Sequence, residues 1–139
     1  MLVSECAAKV MMQEFVRLDL DPVLSEISEG ILVDEARHLA FNHVYMEDVF
    51  ADLYHKGREG AETYGEELTK KLEKVLAFLP PVFEELASEM DEIGIERGRV
   101  VEQLASEARE RLGSSISRGA RVAAREVDGA NLVAAAEAR

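Results

Sequence analysis

Residues 32–46 read LVDEARHLAFNHVYM and place two polar side chains inside a largely apolar stretch. At about 100° per residue of a helix, the apolar residues Ile31 and Met46 fall on one face of this segment. Glu35 and His38 lie on the same face, which a folded helix is expected to bury. A carboxylate buried without a partner is costly, so Glu35 requires a basic partner, a proton or a metal ion.

The composition predicts an all-α protein. Hydrophobic residues make up 47% of the 139 residues, three residues are prolines, and the helix-forming residue types are abundant. Asp21 and Pro22 form a typical helix start, with an N-cap followed by proline at the first helical position. The breaks at Asp21-Pro22, Gly57–Gly60, Pro80-Pro81, Gly94–Gly98 and Gly113–Ser115 predict six helices, at about 2–19, 22–55, 61–79, 80–93, 99–112 and 115–127.

The charge and the single cysteine exclude several classes of protein. A net charge of -12 argues against nucleic acid or an anionic membrane surface as the main partner. The sequence contains no 18-residue apolar stretch and no signal peptide, so we expect a cytoplasmic protein without a membrane partner. Cys6 is the one cysteine, which rules out an internal disulfide framework.

Glu5 is a second acid on an apolar helix face, which it shares with Met12. It lies 16 residues before Asp21, and Glu35 lies 14 residues after it. At about 1.5 Å per residue, both acids are about 20 Å from the turn and level with each other in an antiparallel helix pair. We therefore expect the two carboxylates and His38 to converge on one point. Two carboxylates with an imidazole suit iron or manganese.

These residues resemble the ferritin-like diiron-carboxylate superfamily, and in particular its longer bacterial members. The resemblance covers about residues 1–50 and is carried by Glu5, Asp21-Pro22, Asp34-Glu35-Ala36-Arg37-His38 and Phe41. In that superfamily one helix supplies a Glu, the next supplies Glu-x-x-His, and the pattern occurs twice. The resemblance implies a ferritin-like antiparallel helical pair over residues 1–56, half of a four-helix bundle. Residues 57–139 would form a helical extension that packs on it.

The resemblance also assigns roles to individual side chains. It implies three ligands of iron, or alternatively manganese, with two ions in a completed site: Glu5, Glu35 and His38. Asp34 would orient the histidine of the other half of the site, and Arg37 would be structural. Tyr45 lies near the same face, where it either packs or contacts an oxidised centre. The implied activity is that of an oxidase or oxygenase that activates dioxygen, with a substrate that the sequence does not identify.

The chain supplies half of such a site, because a second Glu and a second Glu-x-x-His do not occur at the required places. Three explanations stay open: a missing N-terminal half, completion by a second copy around a two-fold axis, or a relic that folds without metal. The competing interpretation is a metal-free helical interaction or structural protein, in which Glu5 and Glu35 are protonated or paired. Glu35 and His38 could then form a buried hydrogen-bonded pair without metal. If the extension packs elsewhere, the ligand face should stay open and drive pairing with another copy.

Overall fold

The computed structural model describes the backbone of residues 2–137 and the side chains of residues 2–127. This part of the chain is helical without strands, which confirms the predicted all-α class. Its helices are α1 (Leu2–Leu18), α2 (Pro22–Lys56), α3 (Arg58–Leu76), α4 (Leu79–Glu85), α5 (Ala87–Glu92) and α6 (Arg97–Glu137). None of the helices in the described range is long and apolar enough to cross a membrane.

The turn between α1 and α2 forms as the sequence predicts. Asp21 adopts an extended backbone with φ -149 and ψ 127, which places its side chain over the first turn of α2. Its carboxylate accepts hydrogen bonds from the backbone N–H groups of Val23 at 2.9 Å and Leu24 at 3.0 Å. Pro22 occupies the first helical turn, where its missing N–H has no intrahelical partner to lose. This cap starts a 35-residue helix that carries most of the predicted site.

The hydrophobic core is built around α6. Four of its apolar side chains recur at every fourth position and are buried: Val100, Leu104, Ala108 and Leu112. They belong to one cluster with Cys6 and Val10 of α1 and Leu39 of α2. Since α6 contacts both α1 and α2, the C-terminal helix covers one side of the helix pair.

The predicted break at Gly113–Ser115 is wrong, because α6 runs without interruption from Arg97 to Glu137. Ser115 is 3% exposed, and its Oγ lies 2.8 Å from Nδ1 of His43 on α2. Packing against α2 therefore keeps this segment helical, although glycine and serine are weaker helix formers than alanine. The predicted helix over 80–93 is instead divided into α4 and α5, with Leu86 between them at φ -96 and ψ 11.

The backbones of α6 and α2 approach closely at Gly119. A Cβ atom built on Gly119 would lie 2.8 Å from the carbonyl oxygen of Glu47 and 2.9 Å from the backbone nitrogen of Ala51. It would also overlap the Cβ of Phe50. Real Cβ atoms do not occupy such positions, so this helix crossing depends on glycine.

Candidate metal centre

Glu35 and His38 lie one turn apart near the middle of α2. Residues three apart on a helix are neighbours on its surface, so the two side chains belong to one local face. Glu35 is half-buried, and its Oε2 atom is buried without any hydrogen-bond partner. Buried polar atoms are almost always paired, and an unpaired carboxylate oxygen calls for a proton or a cation.

His38 is exposed to solvent. Within residues 2–127, no hydrogen bond or ion pair engages its ring, and Glu35 likewise makes none, so the predicted hydrogen-bonded pair between the two does not form. The imidazole is therefore available to a ligand that approaches from solvent.

Glu5 lies on α1 and is half-buried. Its Oε2 accepts a short hydrogen bond from the side-chain amide of Asn42, which is 8% exposed. Asn42 follows Glu35 by seven residues, which is about 10 Å along the axis of α2. The structure thus pairs Glu5 with Asn42, whereas the count from the turn placed Glu5 level with Glu35. Asn42 lies on the same helical face as Glu35. This periodicity is the one feature of the sequence that indicates a role for Asn42 near Glu5.

The remaining predicted residues lie around this face. Asp34 and Arg37 form an exposed ion pair with Oδ1 and Nη1 2.7 Å apart. Tyr45 is more than half exposed and borders an apolar cavity. In the part of the chain that the structure describes, no three His, Cys, Asp or Glu side chains are grouped so that they could hold a metal ion. Glu5, Glu35 and His38 are therefore not gathered into such a group within one chain.

Apolar side chains flank Glu35 and His38 along the outer face of α2. Four of them are more than half exposed: Val23, Ile27, Phe41 and Tyr45. Ile31, which lies one turn before Glu35, is 37% exposed. We call these five residues the open face of α2. Because these side chains are exposed, the open face has no cover within the described chain.

A buried carboxylate that the sequence analysis missed lies at the other end of α1. Glu14 is 3% exposed, and its Oε2 accepts hydrogen bonds from Nη2 of Arg17 at 2.9 Å and from Nη2 of Arg99. These contacts neutralise the buried charge and connect α1 to the first turn of α6. The i,i+3 spacing of Glu14 and Arg17 was a visible signal, but the partner on α6 is 85 residues away.

A second ionic cluster surrounds Glu107 on α6. Its Oε1 accepts from Nζ of Lys9 at 2.5 Å and from Nη2 of Arg111 at 2.7 Å. Burial acts to raise the pKa of Glu107, but the hydrogen bonds from these two cations outweigh it and lower the pKa below its usual value. Burial, followed by the nearby Glu107 charge, raises the pKa of the Cys6 thiol to about 11, so this thiol is neutral and unreactive at physiological pH.

Comparison of the chain with protein-family models, with curated proteins and with solved structures finds no match.

Proposed function

We propose that this chain is an iron-binding helical protein of the diiron-carboxylate kind, whose site is completed by a second copy. One observation carries the proposal: Oε2 of Glu35 is buried without a partner, beside the exposed His38 and the open face. The carboxylate oxygen calls for a cation or a proton, and exposed apolar side chains on one face call for a covering. A second copy on the open face would provide the cover and the other half of the ligands.

The donor atoms fit such a metal. Glu35 and Glu5 offer carboxylate oxygens and His38 offers an imidazole nitrogen, and such donors suit iron or manganese. Because Glu5 pairs with Asn42, about 10 Å along α2 from Glu35, a shared site would have to combine residues of both copies. Only Oε2 of Glu5 accepts the bond from Asn42, so its other oxygen can still bind a cation. Asn42 would then fix the orientation of that carboxylate, as outer-shell partners do in metal sites. Two copies would supply four carboxylates and two imidazoles, the ferritin-like complement.

We infer that the metal position would lie between two chains, on the side of α2 where His38 is exposed. Because His38 is exposed, a metal bound to it would lie at the surface that the second copy covers. Exposed Ile27 and Phe41 would exclude water from this interface, and the Asp34–Arg37 pair would lie beside it. When bound, paired iron ions would supply the activation of dioxygen. The chain would contribute ligand atoms, their orientation and a dry surrounding, as in an oxidase or oxygenase.

Iron binding by variants tests this proposal. Equilibrium dialysis against Fe(II) under anaerobic conditions should show that Glu35→Gln and His38→Ala each weaken iron binding by about tenfold or more. The matched control is His55→Ala, because His55 also lies on α2 but pairs with Glu126, with Nε2 and Oε2 2.6 Å apart. Circular dichroism would establish that each variant is folded. Iron affinity that is unchanged by both substitutions, or reduced as much by the control, would refute the proposal.

A metal-free interaction protein is the second candidate. It is favoured by the finding that the described residues contain no metal-holding group within one chain. In this case the open face would pair with another copy without a metal ion. Self-association would then be insensitive to a chelator and would be preserved, or strengthened, by Glu35→Gln.

A further inference from the structure

A cavity of about 310 Å³ lies between α2, α3 and α6, next to the start of α1. Its lining is almost entirely apolar and includes Leu39, Met46, Leu72 and Leu112. We propose that this cavity binds a small monocarboxylic acid with an aliphatic body of about ten carbon atoms. The carboxylate of the ligand would contact Lys71 at the rim.

The volume of the cavity indicates the size of the ligand. An engineered apolar cavity of about 150 Å³ accommodates benzene, so about twice that volume holds about ten to twelve non-hydrogen atoms. Ligand sites in proteins begin at about 300 Å³. The cavity is therefore large enough to enclose the aliphatic body of a medium-chain acid.

The apolar lining of the cavity indicates that the body of the ligand is a hydrocarbon. Leu39 is 2% exposed and Leu72 is 8% exposed, so the inner wall is built from core side chains that a hydrocarbon can contact. Met46 is flexible and polarisable, and it can adjust to chains of slightly different shape. The inner polar groups are already paired, because Asn42 donates to Glu5 and His43 contacts Ser115. The ligand therefore needs no second polar group to pair with them.

The cationic side chains beside the cavity indicate that the ligand carries one acidic group. Two cationic side chains line the cavity, Arg111 and Lys71. Arg111 donates two hydrogen bonds to Glu107, so its guanidinium group is already held on that carboxylate. Lys71 is exposed and has no carboxylate partner among the described residues, whereas its neighbour Lys70 pairs with Glu66 at 3.7 Å. In a chain of net charge -12, an unpaired lysine beside an apolar cavity favours a single anionic group.

This inference goes beyond the proposed iron site and does not depend on it. The cavity shares Asn42 with the candidate metal centre, since the amide that lines the cavity also holds Glu5. A bound acid would therefore lie beside the α1–α2 contact that presents the proposed ligands.

Calorimetric titration of the full chain with decanoate and decanol in metal-free buffer tests the inference. Decanoate should bind with one-to-one stoichiometry, and Lys71→Gln should weaken it by about two- to fivefold, as expected for one exposed ion pair. Lys71→Gln should leave decanol binding unchanged, and the matched control Lys70→Gln should change neither. Val75→Trp should weaken both ligands by about tenfold or more, because half-exposed Val75 lines the cavity and the larger ring would fill it.

Three results would overturn the inference. The first is the absence of saturable decanoate binding by the unchanged chain at millimolar concentration. The second is an equal loss of affinity in Lys70→Gln and Lys71→Gln, which would reduce the effect to general surface charge. The third is unaltered decanoate binding by Val75→Trp. Since Lys71 and Lys70 are exposed, their variants should fold and keep the test valid. A failure in metal-free buffer would leave the iron proposal standing.

Discussion

Replacing Gly119 with alanine should destabilise the protein, whereas the same replacement at Gly113 should stabilise it. Both glycines lie inside α6, where alanine is favoured over glycine by about 1 kcal/mol. A Cβ on Gly113 meets no atom within 4 Å, so this gain should appear almost in full. A Cβ on Gly119 meets the backbone of α2, and overpacking of this kind costs about 1–3 kcal/mol.

Urea unfolding followed by circular dichroism at the helix band would measure both effects. We expect Gly113→Ala to raise the free energy of unfolding by about 0.5–1 kcal/mol. Gly119→Ala should lower it by about 1–2 kcal/mol, because close backbone contacts call for the upper part of the overpacking cost, about 2–3 kcal/mol, less the propensity gain of about 1 kcal/mol. Equal stability of the two variants would show that α6 and α2 do not approach at Gly119. If Gly113→Ala instead lowered the free energy of unfolding, the helix break that the sequence predicts at Gly113 would be supported.

Three further predictions concern the open face and the buried groups. Ile31→Glu should raise the monomer fraction in sedimentation velocity because it places a charge in the pairing surface, whereas Val33→Glu, on the opposite side of α2, should not. Equal monomer fractions would contradict this. Glu14→Gln should lower the free energy of unfolding by about 1–3 kcal/mol, because charged hydrogen bonds to a buried carboxylate are lost; an unchanged urea midpoint would show that they contribute nothing. The raised pKa of Cys6, about 11, means that the folded thiol keeps its proton while the unfolded thiol loses its own above about pH 9. The contribution of Cys6 to stability should therefore be constant below about pH 9 and fall between pH 9 and 11, so stability should fall less steeply there in Cys6→Ala. Identical alkaline slopes would contradict the assignment.

The predictable parts of the fold are those decided by neighbouring residues. Asp21 and Pro22 are adjacent and cap α2 by local hydrogen bonds, so the sequence locates this turn correctly. The break predicted at Gly113–Ser115 was wrong because a tertiary contact, and not the neighbouring residues, keeps this segment helical. Ser115 contacts His43, 72 residues away, and no local pattern contains that contact.

At the candidate site, too, local periodicity predicts some features, and tertiary packing decides the others. Helical periodicity correctly groups Glu35 with apolar residues, and Glu35 is indeed half-buried. Periodicity does not reveal what covers a face, and α6 packs on the other side of the pair, leaving His38 exposed. The pairing of Glu5 with Asn42 depends on how α1 and α2 cross, which counting residues from a turn describes only approximately.

Sedimentation equilibrium under anaerobic conditions, with and without Fe(II), would measure whether iron and self-association are coupled. If each copy supplies Glu35 and His38 to a shared site, Fe(II) should tighten the dimer of the unchanged chain. By thermodynamic reciprocity, the dimer should bind iron more tightly than the monomer by the same factor. Glu35→Gln should abolish this coupling while the chain stays folded. A dimerisation constant that Fe(II) leaves unchanged, or tight stoichiometric iron binding by a chain that remains monomeric, would contradict a site completed by a second copy.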